Sequence, residues 1–85
     1  MRASSTATSA MTTKGALLKR SMRIAGHRTS LALEQEFWSA LERIARSRTQ
    51  TLPVLIATID EQRNKAAPDA SLASAVRVFV LENRV

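Results

Sequence analysis

The sequence predicts a mostly α-helical fold with one short β-strand, completed by a second copy of the chain as an intertwined homodimer. Three observations lead there. One stretch alternates apolar and polar residues at the period of a strand, and three later stretches carry apolar residues at the period of a helix. The chain has only 85 residues, a length that makes one domain and a limited core. It has no cysteine and one histidine, His27, which excludes disulfides, thiolate metal sites and multi-histidine sites and leaves oligomerisation as the common route to stability.

Residues 1–20 are rich in Ser, Thr and Ala and contain no acid. This composition resembles a transit peptide and equally fits a disordered tail. Residues 1–18 are read as the tail, because so polar a segment cannot bury enough surface to order itself. Met11 and Met22 are alternative starts. No apolar run is long enough for a transmembrane helix or a signal peptide. The expected domain is therefore 19–85.

The strand is expected at about 28–33. Thr29, Leu31 and Leu33 point one way, and Arg28, Ser30 and Ala32 the other. Upstream, Met22 and Ile24 alternate with Ser21, Arg23 and Ala25 on the opposite parity, and a turn or bulge at Gly26 reconciles the two patterns. Helices follow at about 34–47, 52–63 and 70–82. Phe37, Leu41, Ile44 and Ala45 stripe the first; Leu52, Leu55, Ile56 and Ile59 the second; Leu72, Val76, Phe79 and Val80 the third. Glu34 and Glu36 near the start of the first helix, and Arg43, Arg46 and Arg48 near its end, suit its macrodipole. Thr51 is an N-cap candidate with Pro53 in the first turn, and Asp69 or Ser71 can cap the third helix.

A lone strand would leave N–H and C=O groups unpaired along both edges. The simplest remedy is pairing with the same strand of a second copy about a two-fold axis. The expected dimer core is Leu31, Leu33, Phe37, Leu41, Ile44, Leu55, Ile56 and Ile59. Phe37 is read as core, Trp38 as packing on the partner or the third helix, and His27 as a turn residue beside Gly26. The third helix either covers the dimer core or offers Leu72, Val76, Phe79 and Val80 to a partner protein.

The charge is lopsided. Arg2, Lys14, Lys19, Arg20, Arg23 and Arg28 meet no acid within residues 1–33, whereas bases and acids balance in the remainder, so the whole net charge of +6 lies at one end. A one-ended basic arm is the footprint of a nucleic-acid binder. A two-stranded ribbon fits the major groove, where Arg28 can pair with guanine, Ser30 can donate or accept, and Ala32 can touch a thymine methyl. Lys19, Arg20 and Arg23 would contact phosphates, and Thr49, Gln50 and Thr51 would add donors at the start of the second helix. No nucleophile–base pair, phosphate loop or metal set argues for an enzyme, and no cofactor is expected.

The segment RTSLALEQEFWSALERIARSRTQTLPVLIATID, residues 28–60, resembles the ribbon-helix-helix superfamily, the MetJ, Arc and CopG class of repressors and antitoxins. IAGHRTS, EFW, ID and the later SLASAVRVFVLE are similar to a bacterial subgroup of ribbon-helix-helix domain proteins, extending the likeness to about residues 19–83. The resemblance implies that Arg28, Ser30 and Ala32 read bases and that Thr51 begins a phosphate-facing helix. Ala32 is smaller than the residue many DNA-reading members carry, Pro53 removes a backbone donor, and the usual interhelical glycine is replaced near Thr49. The implied function is a bacterial, cytoplasmic DNA-binding regulator, a repressor acting as a homodimer. The alternative is an antitoxin or adaptor whose third helix binds a partner protein such as a toxin. A membrane-surface or targeting role for residues 1–20 is a third reading.

Overall fold

The structure, a computed structural model, describes residues 15–84. The part of the expected tail at 1–14 lies outside the described residues. Two antiparallel strands, β1 (Leu17–Ile24) and β2 (His27–Glu34), are followed by three helices, α1 (Gln35–Ser47), α2 (Leu52–Ala66) and α3 (Leu72–Glu82).

The strands form a hairpin whose register runs from Leu17 opposite Glu34 to Ile24 opposite His27. Ala25 and Gly26 make the two-residue loop, with φ of 50° and 84°. Positive φ at both central residues belongs to a type I′ turn, whose twist matches that of the strands. The structure thus has two strands where the sequence predicts one. Strand β2 is paired along its whole length by its own chain, and Leu17 and Leu18, assigned to the tail, are the first residues of β1. The opposite parity on either side of Gly26 was the signal of that pairing. Across a two-residue loop, partners that share a face have opposite parity, so no bulge is needed.

The inner face of the hairpin receives the helices, with α1 and α3 against β2 and α2 against β1. Ile24, Leu31 and Leu33 from the hairpin meet Trp38, Leu41 and Ile44 of α1 and the buried faces of α2 and α3 in one core, and among the described residues no polar or charged residue is buried. Seven of the eight residues expected at a dimer core, all but Phe37, are thus buried within a single chain.

The aromatic pair is exchanged relative to expectation. Trp38 is fully buried and Phe37 only half-buried. The reason lies in β1: the Trp38 Nε1–H donates to the Leu18 carbonyl at 2.8 Å, so the indole's one polar group finds a partner only where β1 exists.

Helix α1 ends in a Schellman arrangement. Thr49 N–H donates to the Arg46 carbonyl at 3.1 Å and Gln50 N–H to the Ala45 carbonyl at 2.9 Å. The residue in the left-handed region is Thr49, at φ 54°, a position that favours glycine. Helix α2 begins at the Thr51 cap, whose Oγ1 accepts from Val54 N–H at 3.3 Å. It runs past the expected residue 63 to Ala66, since nothing breaks it before Pro68. Ser71 rather than Asp69 caps α3, accepting from Ser74 N–H at 3.0 Å. Arg63 secures the α2–α3 loop, pairing with Asp60 at 2.7 Å and donating to the Ala70 carbonyl at 2.9 Å.

Candidate nucleic-acid interface

The register sorts the hairpin's polar residues onto two faces. Beyond the Leu17–Glu34 pair at its open end, its outer face carries three cross-strand pairs: Lys19 with Ala32, Ser21 with Ser30, and Arg23 with Arg28. All except the half-buried Ala32 are exposed. The two serine hydroxyls lie 3.0 Å apart, and the Arg23 guanidinium donates through Nη1 to the Gly26 carbonyl at 3.4 Å beside the turn. Among the described residues, Lys19, Arg23 and Arg28 form no ion pair. The face therefore offers three cations, two hydroxyls and one methyl, a donor-rich surface for an anion and for base edges.

Sequence reasoning placed Arg28, Ser30 and Ala32 on one face, and the structure brings them together there with Lys19 and Arg23. It had no role for Ser21; a strand assignment for residues 17–24 would have put Ser21 opposite Ser30. Arg20, grouped with the phosphate-contacting residues, is placed elsewhere. Its partner is Leu31, so it lies on the inner side, with its guanidinium over the Trp38 ring at 4.6 Å and against Glu42 at 3.0 Å. An arginine engaged by a ring and a carboxylate is occupied by the fold.

The second expected element, the start of α2, keeps few free donors. Pro53 has no N–H, and the Val54 N–H is taken by Thr51 Oγ1, whose hydroxyl oxygen is thereby in use as an acceptor. Thr49 is exposed and Gln50 half-buried, with Gln50 Oε1 buried and without a hydrogen-bond partner among the described residues. An unpartnered acceptor is not what an anion selects.

The face of α3 considered for a partner protein is largely consumed by the core: Val76 and Val80 are buried, and Leu72 and Phe79 are half-buried. The end of β2 is tied to α3 as well. Arg77 Nε donates to Glu34 Oε1 at 3.0 Å and a second Arg77 nitrogen to Oε2 at 3.3 Å, with the guanidinium 5.8 Å from the Phe37 ring. This hydrogen-bonded guanidinium holds the Glu34 carboxyl below its ordinary value. His27 is exposed at the first position of β2, beside the turn. Among the described residues no three His, Asp or Glu side chains cluster as metal ligands, and no helix is long and apolar enough to cross a membrane.

A strand hairpin leading into α1 and α2, with a basic outer ribbon face, defines a small DNA-binding domain of the ribbon-and-helices class. The chain belongs to the ribbon-helix-helix domain family, whose family model matches residues 17–83. Ribbon-helix-helix domains are non-enzymatic DNA-binding regulators that typically dimerise. Comparison with curated proteins and with solved structures finds no match.

Proposed function

We propose that the protein is a transcriptional repressor that contacts the major groove through the outer face of its hairpin. The observation that carries this reading is the cluster of Lys19, Arg23 and Arg28 around the Ser21–Ser30 pair, all exposed and without a carboxylate partner among the described residues. Cations left without acids favour the phosphate-lined duplex, and arginine and serine are suited to base edges. The repressor works as a homodimer in a bacterial cytoplasm, each copy presenting one such face. Lys19 takes phosphate, while Arg28, Ser30 and Ala32 face bases. The partner-protein alternative retains only the exposed Val78 and Leu81 on α3 and is the weaker reading.

The test is a fluorescence-anisotropy titration at near-physiological salt, comparing the duplex upstream of the protein's own gene with a shuffled duplex of equal length. Binding at least tenfold tighter to the native duplex, weakening steeply with salt, is the expected result. Equal or absent binding overturns the repressor reading.

A further inference from the structure

We infer that the groove between α2 and α3 is a binding site for a small apolar molecule with a positively charged head, of the aryl-alkyl ammonium class. The site is built by these two helices and the loop that joins them, and takes no residue from the hairpin.

Size and lining set the body of the ligand. The groove has a volume of about 290 Å³. Ile59, Val78 and Phe79 supply its walls, and Ala66, Ala70 and Ala75 carry only a methyl where a larger side chain would close the space. Ile59 is buried and Phe79 half-buried, whereas Val78 is 49% exposed, so apolar surface is left to water here. An apolar cavity of about 150 Å³ holds a benzene ring, and sites for drug-sized ligands begin near about 300 Å³. The groove is therefore the size of one ring with a short chain.

Charge sets the head. Arg63 lies on the lining but is engaged by the fold. Its Nε and Nη2 donate to Asp60 at 3.1 and 2.7 Å, and its Nη1 to the Ala70 carbonyl at 2.9 Å. Among the described residues the lining thus offers no free cation to an anionic ligand. Glu82 is the reverse case. It is exposed and, among the described residues, forms no ion pair. The nearby cations are turned elsewhere: Lys65 pairs with Glu61 at 3.8 Å, and Arg84 lines a separate depression with Arg43. Glu82 is also the last residue of α3, at the negative end of the helix dipole, where a base is favoured. The helix gains no stability from a carboxylate there. Instead the acid and the helix end add to one negative potential beside an apolar groove, which complements a cation on an apolar body and opposes an anion.

The experiment is a methyl-resolved NMR titration of the full chain with three probes that share a phenyl ring: phenethylammonium, the neutral phenethyl alcohol and the anionic phenylpropanoate. The methyls of Ala66, Ala70, Ala75 and Val78 are expected to shift. Phenethylammonium should bind about two- to fivefold tighter than the alcohol at low salt, with phenylpropanoate the weakest and the differences shrinking at high salt. Glu82→Gln should bring the ammonium down to the affinity of the alcohol and leave the alcohol unchanged. Ala66→Leu, at an exposed position, should fill the groove and remove binding of all three, with unchanged circular dichroism establishing that both variants fold. Absent shifts at the groove methyls, equal affinities for ammonium and alcohol, tighter binding of the carboxylate, or a preference that survives Glu82→Gln each overturn the assignment. If the same methyls shift with protein concentration alone, a second copy occupies the groove and the small-molecule site is wrong. Each of these outcomes leaves the DNA titration untouched, so the site and the repressor function fail separately.

Discussion

Arg20 and Arg23 sit three residues apart on β1 and face opposite sides of the hairpin. Arg20 lies 4.6 Å above the Trp38 ring and 3.0 Å from Glu42, and Arg77 likewise reaches Glu34 at 3.0 Å beside the Phe37 ring. Arg23 faces Arg28 instead, with no acid partner among the described residues. Chemically identical side chains have therefore been divided by strand parity into those that fasten helices to the sheet and those left to a ligand. Net charge alone cannot separate the two groups, because each arginine adds the same charge to the total.

The comparison breaks first at Trp38, on which the inner arrangement depends. Trp38→Ala removes a fully buried indole and leaves the Leu18 carbonyl without its donor. A loss of about 3–5 kcal/mol is expected, which is most of what so small a core supplies. Urea denaturation followed by circular dichroism should show no cooperative transition, or one shifted to very low urea. Trp38→Phe keeps much of the packing and loses the hydrogen bond, for about 1–3 kcal/mol. A wild-type midpoint for Trp38→Ala would mean that β1 is not held by the indole.

The second prediction compares the two arginines directly. Arg23→Ala should weaken duplex binding at least about tenfold at low salt with no loss of thermal midpoint, since it removes an exposed cation of the outer face and an opposing like charge. Arg20→Ala should do the reverse. It should lower stability by up to about 1 kcal/mol, as expected for a half-exposed ion pair with a ring beneath it, and leave the duplex preference intact. Equal effects on binding would erase the distinction between the faces.

The loop between α1 and α2 sharpens the contrast with the hairpin turn. Both turns use left-handed residues, but the hairpin has Gly26 at φ 84° and the interhelical loop has β-branched Thr49 at φ 54°. Thr49→Gly should relieve about 1 kcal/mol of strain, less some cost from the more flexible unfolded chain, and raise the thermal midpoint by a few degrees. A lowered midpoint would show that the threonine side chain contributes more than its backbone costs.

The smallest effect concerns pH. The Arg77 hydrogen bonds depress the Glu34 carboxyl, so the folded state binds this proton less readily than the unfolded chain does. Its contribution to stability is present above the ordinary carboxyl value of 4.5 and is lost as pH falls through the lowered folded value. Arg77→Gln should therefore separate from wild type in thermal midpoint near neutrality and converge with it in strong acid. A constant gap across that range would mean that the pair does not titrate with folding.

Much was legible in local pattern. Alternation from Arg28 to Leu33 marks a strand and assigns Leu31 and Leu33 to the core face, where both are buried. Helical spacing marks three helices, and Thr51 stands at the N-cap of α2. The grouping of Arg28, Ser30 and Ala32 needed nothing more than period two. Leu17 and Leu18 were not legible, because they adjoin a polar segment and their place depends on a partner ten or more residues away. Without them Trp38 had no visible acceptor and Phe37 took its place.

The sequence by itself determined the helices, the inner and outer faces of β2, the concentration of positive charge at one end and the family. All of these are carried by neighbours within a few positions, where propensity and periodicity act. The tertiary structure alone decided that β2 pairs with β1 of its own chain, that Trp38 rather than Phe37 enters the core, and that Arg20 serves the fold while Arg23 faces out. Each of these depends on which distant backbone group satisfies a hydrogen bond. Period two says that a strand has two faces, and only the register says what lies across from each residue.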